Sequence, residues 1–430
     1  MSSIRTAVIA GGGIAGPVTA MALQKAGIDA TVYEARPADA QDRGVFLTLA
    51  SNGIDALRVL DADRDVLEAG FPTPAITLRS GTGKRLGETA IGVTLEDGTT
   101  SHTLRRADLF GALRDEALAR GIRFEHGRKV VSAVSEADGV RVVFADGSEA
   151  RGDVLIGADG VWSTVRRLVD PGAPSPAYQG LIGTGGYARG VSVEAEPGRF
   201  EMIFGKRAFF GMVAAPDGEV WWFANVPRAS EPSRGELAAE GGEAWRSRLL
   251  ELFADDAGPA TAVIAATPEL EPMSPFHAVP CLPAWQRGRM VVVGDAAHAP
   301  SPTSGQGASL SIEDAVVLAT CLRDAPTVSE ALARFESIRR PRVERIVKWA
   351  ARMNSSKAAG PVGRVIRDAV LPLMLRAPGA ARAQRSMFEH RVVGRASCRS
   401  LSVAPVSQAA SRDRQSRQPR CADSSSEVAR

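Results

Sequence analysis

The segment "RTAVIAGGGIAGPVTAMALQKAGIDATVYE", residues 5–34, restricts the fold more than any other part of the chain. "RTAVIA" is a short buried-strand pattern, "IAGPVTAMALQKAG" a helix closed by Gly27, and "IDATVYE" a second strand. Gly11-x-Gly13-x-x-Gly16 sits between strand and helix. In that spacing the first glycine allows a tight turn, the second lets backbone approach a pyrophosphate, and the third lets helix pack on strand. Ile14, Ala15 and Gly16 open the helix, whose unpaired amides and positive dipole end suit phosphate oxygens. Glu34 ends the second strand 18 positions after Gly16, where a carboxylate can accept hydrogen bonds from an adenosine ribose. The pattern points to dinucleotide binding on a parallel α/β sheet. It does not choose between NAD and FAD.

Two later stretches bear on that choice. In "VVVGDAAHAPSPTSGQGASLSIEDA", residues 291–315, an apolar run ends at Gly294-Asp295, passes two prolines and restarts as a helix near Gly305-Gln306-Gly307. A core strand needs none of this punctuation, and a turn-capping aspartate needs neither the prolines nor the glycines. Asp295 can accept bonds from a sugar-like polyol, while Gly305 and Gly307 bare the backbone. A helix starting near Gln306 would direct its positive end at a reduced flavin, which is negative at N1 and C2=O. "DVLIGADGVWSTVRRLV" places Asp159-Gly160 after another strand, with Arg166 one turn into the next helix.

Composition narrows the function classes. At 430 residues the chain accommodates roughly two domains and a sizeable core. The formal charge of +3 is carried by the end of the chain: residues 395–430 hold seven arginines against three acids, so the rest sums to −1. That argues against a nucleic-acid surface on the folded body. Cys281, Cys321, Cys398 and Cys421 show no metal or redox spacing and suit a reducing cytoplasm. No apolar run is long enough to span a membrane. His298 reads as loop packing, and no second ligand at metal spacing accompanies it.

The α/β pattern is interrupted twice. We expect a Rossmann-like dinucleotide domain from residues 1–72, 101–177 and 275–328. An inserted α+β substrate domain comes from 73–100 and 178–274, where strand and hairpin signals dominate. C-terminal helices follow over 329–394, with Arg339, Arg340 and Arg342 as a solvated face. "RRADLFGALRDEALARG" is an amphipathic helix with Leu109, Leu113 and Leu118 near helical spacing. Residues 395–430 are Ser- and Arg-rich without periodicity, the composition of a disordered, dispensable tail or of a shifted reading frame.

Taken together, Gly11-Gly13-Gly16, Asp159-Gly160 and Gly294-Asp295 resemble the single-component flavoprotein aromatic hydroxylases, the p-hydroxybenzoate hydroxylase family. The resemblance covers about residues 4–392 and lies nearest the bacterial branch with the tetracycline-inactivating monooxygenases. It implies FAD as cofactor, with Glu34 on the ribose, Arg106 on the phosphate and ribityl region, and Asp159 near FAD and NAD(P)H. Asp295 would hold the ribityl or pyrophosphate end, with Pro302, Gly305, Gln306 and Gly307 along the isoalloxazine and Thr48 beside it. Many relatives carry Arg directly after the ribose acid; here that position is Ala35, and Arg36 follows.

The family chemistry implied is NADPH- or NADH-driven reduction of FAD, then hydroxylation of a small aromatic substrate by O2 through a flavin C4a-hydroperoxide. No catalytic side chain stands out, as fits chemistry that belongs to the cofactor. Tyr187, Phe210 and Trp222 are the expected substrate contacts, and a monomer or homodimer the expected assembly. The alternatives are a flavin-dependent reductase, a halogenase-like enzyme, or a flavin-binding module without turnover. "VWWFANVP" does not match the halogenase Trp-x-Trp-x-Ile-Pro segment.

Overall fold

In a computed structural model, residues 4–38, 44–279, 281–301, 304–357, 360–377, 379 and 385–392 are described. Pro302 and the expected tail, 395–430, lie outside them.

The strand Thr6–Ala10 lies inside a six-stranded sheet, between Val154–Gly157 on one side and Asp29–Glu34 on the other. All three run parallel, with Val8 opposite both Leu155 and Thr31. Arg123–His126 extends the sheet beyond Asp29–Glu34, and Met290–Val292 beyond Val154–Gly157, both parallel. Gln286–Arg287 closes one edge antiparallel. Val8, Ile9, Leu155 and Ile156 are buried, because helices or a second sheet cover both faces of a parallel sheet.

The helix Ala15–Lys25 is buried from Ala15 to Leu23, which is why its sequence is apolar all round. It packs against the equally buried helix Gly307–Asp324. In the helix Arg106–Ala119 the inward face is Leu109, Leu113 and Ala117, four residues apart. Leu118, expected on that face, is exposed, since it sits about 100° further round the helix.

A seven-stranded sheet forms the second layer system, ordered Ser274–Ala278, Ala177–Ala188, Val220–Pro227, Phe209–Ala214, Arg199–Phe204, Ala75–Ser80 and Arg85–Ala90. Its pairs are antiparallel except Arg199–Phe204 with Ala75–Ser80. Side chains alternate between its faces. Phe210, Met212, Trp222 and Ala224 form a core with Trp245, Leu249 and Phe253 of the helix Arg234–Phe253 and Val263 and Ile264 of Ala260–Ala265. Phe200, Val213 and Trp221 point the other way, toward Phe46 and Phe71.

The long helix Val328–Lys357 packs on Gly307–Asp324, and the helix Pro361–Arg376 lies on the edge strand Arg85–Ala90. No helix among the described residues is long and apolar enough to cross a membrane.

Candidate active site

The glycine loop leaves the carboxyl end of Thr6–Ala10, a strand with parallel neighbours on both sides. A crevice opens at such a position in an open α/β sheet. Gly11 adopts φ +106°, and a Cβ there would lie 2.3 Å from the Ala158 carbonyl oxygen. A Cβ on Gly16 would lie 1.9 Å from the Gly11 oxygen, so only glycine lets the helix start this close to the turn. Ile14 is the N-cap and offers no side-chain cap; the first turn holds no acid. The leading amides are therefore left to a ligand.

Glu34 stands at the mouth of this loop. Gly12 N donates to its Oε2 at 2.6 Å, and Arg36 donates to Oε1 from its backbone N at 2.9 Å and from Nε at 3.4 Å. Arg36 thus orients the acid. Oε2, with one bond from Gly12, keeps a lone pair for a sugar hydroxyl. A small recess lined by Gly12, Glu34, Arg36, Phe110, Arg114 and His126 adjoins it.

Asp159 follows the neighbouring strand and caps the helix Thr164–Val169. Its Oδ2 accepts from Thr164 N at 2.7 Å and Val165 N at 3.1 Å, and the Ser163 hydroxyl donates to Oδ1. Burial pushes the Asp159 carboxyl above its ordinary value, and these bonds oppose the rise. Arg166 is buried and donates to the carbonyls of Ala296 at 3.0 Å and Val161 at 2.7 Å. It ties the Asp159-Gly160 segment to the Asp295 loop.

Asp295 accepts no hydrogen bond among the described residues, and burial raises its carboxyl against the pull of His298 and Arg106. Its Oδ1 is 3.8 Å from where a Cβ of Gly307 would stand, so it faces the start of the helix Gly307–Asp324. Gln306 caps that helix without a side-chain bond, and no acid follows in its first turn. The Gln306 Nε2 is buried and unpartnered, while its Oε1 accepts from Asn52 Nδ2 at 3.1 Å. A half-buried, unpartnered carboxylate and an orphaned buried amide beside an uncapped helix end match a ligand with polyol donors and an anionic edge. The flavin's ribityl chain and pyrimidine ring have that chemistry. Arg106 is exposed, with its guanidinium 5.5 Å from the Phe110 ring centre, and Gly305 adopts φ +59°.

Sequence reasoning missed the support behind this loop. Glu313 and Asp314 are fully buried. Arg339 donates to Asp314 Oδ1 and Glu313 Oε2, both at 2.7 Å. Arg342 donates to both Glu313 oxygens at 2.7 Å. Asn52 Nδ2 donates to Glu313 Oε1 at 2.7 Å, His298 Nε2 lies 2.5 Å from Asp314 Oδ2, and Gly294 N donates to that oxygen at 3.0 Å. Arg339 and Arg342 are therefore internal cations, not members of a solvated face. The usable signal was an acidic pair inside a helix that is otherwise apolar all round, because such acids must be paired.

The expected substrate contacts divide. Phe210 and Trp222 lie in the core under the two covering helices, stacked 5.4 Å apart, with Trp222 Nε1 donating to Thr267. Their strand parity turns them away from the nucleotide-binding sheet, so neither lines the cleft. Tyr187 is on the opposite face, but its hydroxyl donates to the Val45 carbonyl at 2.5 Å, and Arg105 stacks on its ring. It ties this sheet to the strand Phe46–Leu49. There Thr48 Oγ1 is 2.8 Å from Thr103 Oγ1, and half-buried Phe46 meets Phe223 edge-on.

Comparison with known proteins places these features. The profile of the FAD binding domain family matches residues 5–350. The chain is 33% identical over 357 residues to aurachin C monooxygenase/isomerase of Stigmatella aurantiaca, covering 81% of this chain and 88% of that one. It is 33% identical to 3-amino-4-hydroxybenzoate 2-monooxygenase of Streptomyces platensis over 367 residues, 80% and 85% of the two chains. Among solved structures, Klebsiella pneumoniae HpxO complexed with FAD and uric acid superposes with a TM-score of 0.78 at 26% identity, covering 90% of this chain and 97% of that one.

Proposed function

Because this chain belongs to the FAD binding domain family, we propose that it is a cytoplasmic monooxygenase using NADPH or NADH and O2 to hydroxylate a small aromatic or polycyclic molecule. One observation carries the reading: Glu34, the Asp159 loop, the unpartnered Asp295 carboxylate and the Gln306 helix end meet at the carboxyl edge of one parallel sheet. Kinship with two monooxygenases and with a uric acid complex supports it. Nothing favours a reductase, a halogenase-like enzyme or a module without turnover.

Bound FAD supplies electron transfer from the nicotinamide and activation of O2. The rest is the work of the chain. Open amides from Gly13 to Gly16 hold the pyrophosphate, and Glu34 accepts from the ribose. Asp295 accepts from the ribityl hydroxyls. The positive start of Gly307–Asp324 would stabilise negative charge on a bound, reduced flavin. Phe46, Met202 and Phe223, half-buried on the inward sheet face, offer a flat apolar wall that holds a ring and excludes water. Flavin-activated oxygen would be electrophilic, which selects a substrate with an electron-rich carbon such as that of a phenol or enol.

The test uses the purified yellow protein with a panel of phenols and polycyclic aromatics. NAD(P)H oxidation rises with the right ligand, and the product gains one oxygen atom labelled from 18O2. Label from water alone, or a reduced alkene as product, overturns the hydroxylase reading.

Glu34→Ala and Asp295→Ala each remove a charge-assisted bond to the cofactor. Each should weaken FAD binding by about 1.5–3 kcal/mol, roughly 10- to 150-fold, with the circular dichroism spectrum retained. Titration by flavin fluorescence quenching measures this, and wild-type affinity in both variants displaces the cofactor from this site.

A further inference from the structure

Ten large apolar side chains are exposed among the described residues, and six of them lie on the helix Pro361–Arg376. Val362, Val365, Ile366, Val370, Leu373 and Met374 are 42 to 74% exposed. Their spacing of three, one, four, three and one puts them on one continuous stripe of the helix. The opposite side is already in use. Leu371 and Leu375 pack against Leu78, Phe204 and Phe209, Arg367 covers the Phe204 ring at 4.5 Å, and Arg364 donates to the Lys206 carbonyl. The outer stripe therefore serves neither the cleft wall nor the hold on the sheet. Contiguous apolar surface on this scale marks a contact.

We propose that this stripe seats the protein on an anionic lipid bilayer, with the helix lying in the interface rather than spanning it. Charge decides between occupants. The stripe contains no acid, and its C-terminal end carries the exposed Arg376. From Arg376 to Arg430 the chain has eleven arginines against four acidic residues and no lysine, a net +7, while the rest of the chain sums to −4. An apolar helix face continuous with an arginine-rich segment is the pattern of a surface-bound helix that also attracts anionic headgroups.

A second copy fits less well. The stripe holds no acid and ends at the exposed Arg376, so an identical copy would offer it no opposite charge.

The experiment is co-sedimentation of the full-length, FAD-loaded protein with vesicles of phosphatidylcholine alone or equimolar with phosphatidylglycerol. We expect pelleting with the anionic vesicles, weaker pelleting with neutral ones, and release by high salt. Val365→Glu with Leu373→Glu should lower the affinity for anionic vesicles by about 100-fold. Both positions are exposed, so flavin content and circular dichroism should stay unchanged. Absence of pelleting, or equal pelleting of the double variant, overturns the proposal. So does a dimer in light scattering that the same variant dissolves, because that outcome makes a second copy the occupant.

Discussion

Arg339→Ala is expected to destabilise the fold by about 3–5 kcal/mol, because removing one partner of a buried ion network leaves an uncompensated charge inside. In the wild type the guanidinium bridges Asp314 and Glu313 at 2.7 Å each, with all three side chains fully buried. Arg342 would still hold Glu313, but Asp314 would keep only His298 and the Gly294 amide. The loss should appear as a fall in melting temperature of about 3–6 °C. Arg339→Lys, which keeps the charge but loses the two-pronged geometry, should fall between. Because Asp314 holds Gly294 and Glu313 holds Asn52 beside Gln306, flavin retention should drop with stability. A melting temperature equal to wild type in Arg339→Ala would refute the role given to this network.

The same network sets a pH dependence. Burial alone would raise both carboxyls, but Arg339 and Arg342 outweigh it at Glu313, and His298 and Arg339 at Asp314. Both are held at about 2, below their ordinary 4.5 and 3.8. A carboxyl whose folded value lies below its unfolded one stabilises the fold fully above the unfolded value and loses that contribution as pH falls toward the folded one. The window here runs from about pH 5 down to 2. In Arg339→Ala the folded values rise, so the acid-unfolding midpoint followed by circular dichroism should move to higher pH.

Legibility in the sequence followed the range of the cause. The glycine loop could be read because its geometry is local: Gly11 needs a positive φ and Gly16 leaves no room for a Cβ. The strand ends carrying Glu34, Asp159 and Asp295 could be read for a similar reason, since each follows a short apolar run. Arg339, Arg340 and Arg342 misled because helical spacing says which side chains share a face, not what lies across from it. Their partners Glu313 and Asp314 stand more than twenty residues earlier, and Arg340 alone reaches partners on its own helix, Glu336 and Glu344. Adjacent Trp221 and Trp222 show the same limit. Alternation required that they face opposite ways, but only the helix Arg234–Phe253, packed on one side, assigns Trp222 to the core.

Gly13→Ala and Gly16→Ala should have separable effects, although both sit in one loop. At Gly16 the added carbon would lie 1.9 Å from the Gly11 carbonyl oxygen and 3.1 Å from its carbon, and backbone cannot rotate away as a side chain can. The helix must move off the strand, at roughly 1–3 kcal/mol for such overpacking. Flavin affinity should fall by at least about 100-fold, since the displaced amides no longer converge on the pyrophosphate.

At Gly13 the added carbon would meet only the Phe110 ring, at 3.5 Å, an ordinary contact. The flavin-free protein should therefore keep its melting temperature, or gain slightly through the stiffer unfolded chain. What changes is the space into which a pyrophosphate must come. The expected signature is a flavin-free melting curve like that of wild type, beside a strongly weakened FAD titration by fluorescence quenching. If Gly13→Ala binds FAD as wild type does, the loop does not seat the pyrophosphate. If it melts early without flavin, Gly13 serves packing, and the division of labour within the loop is wrong.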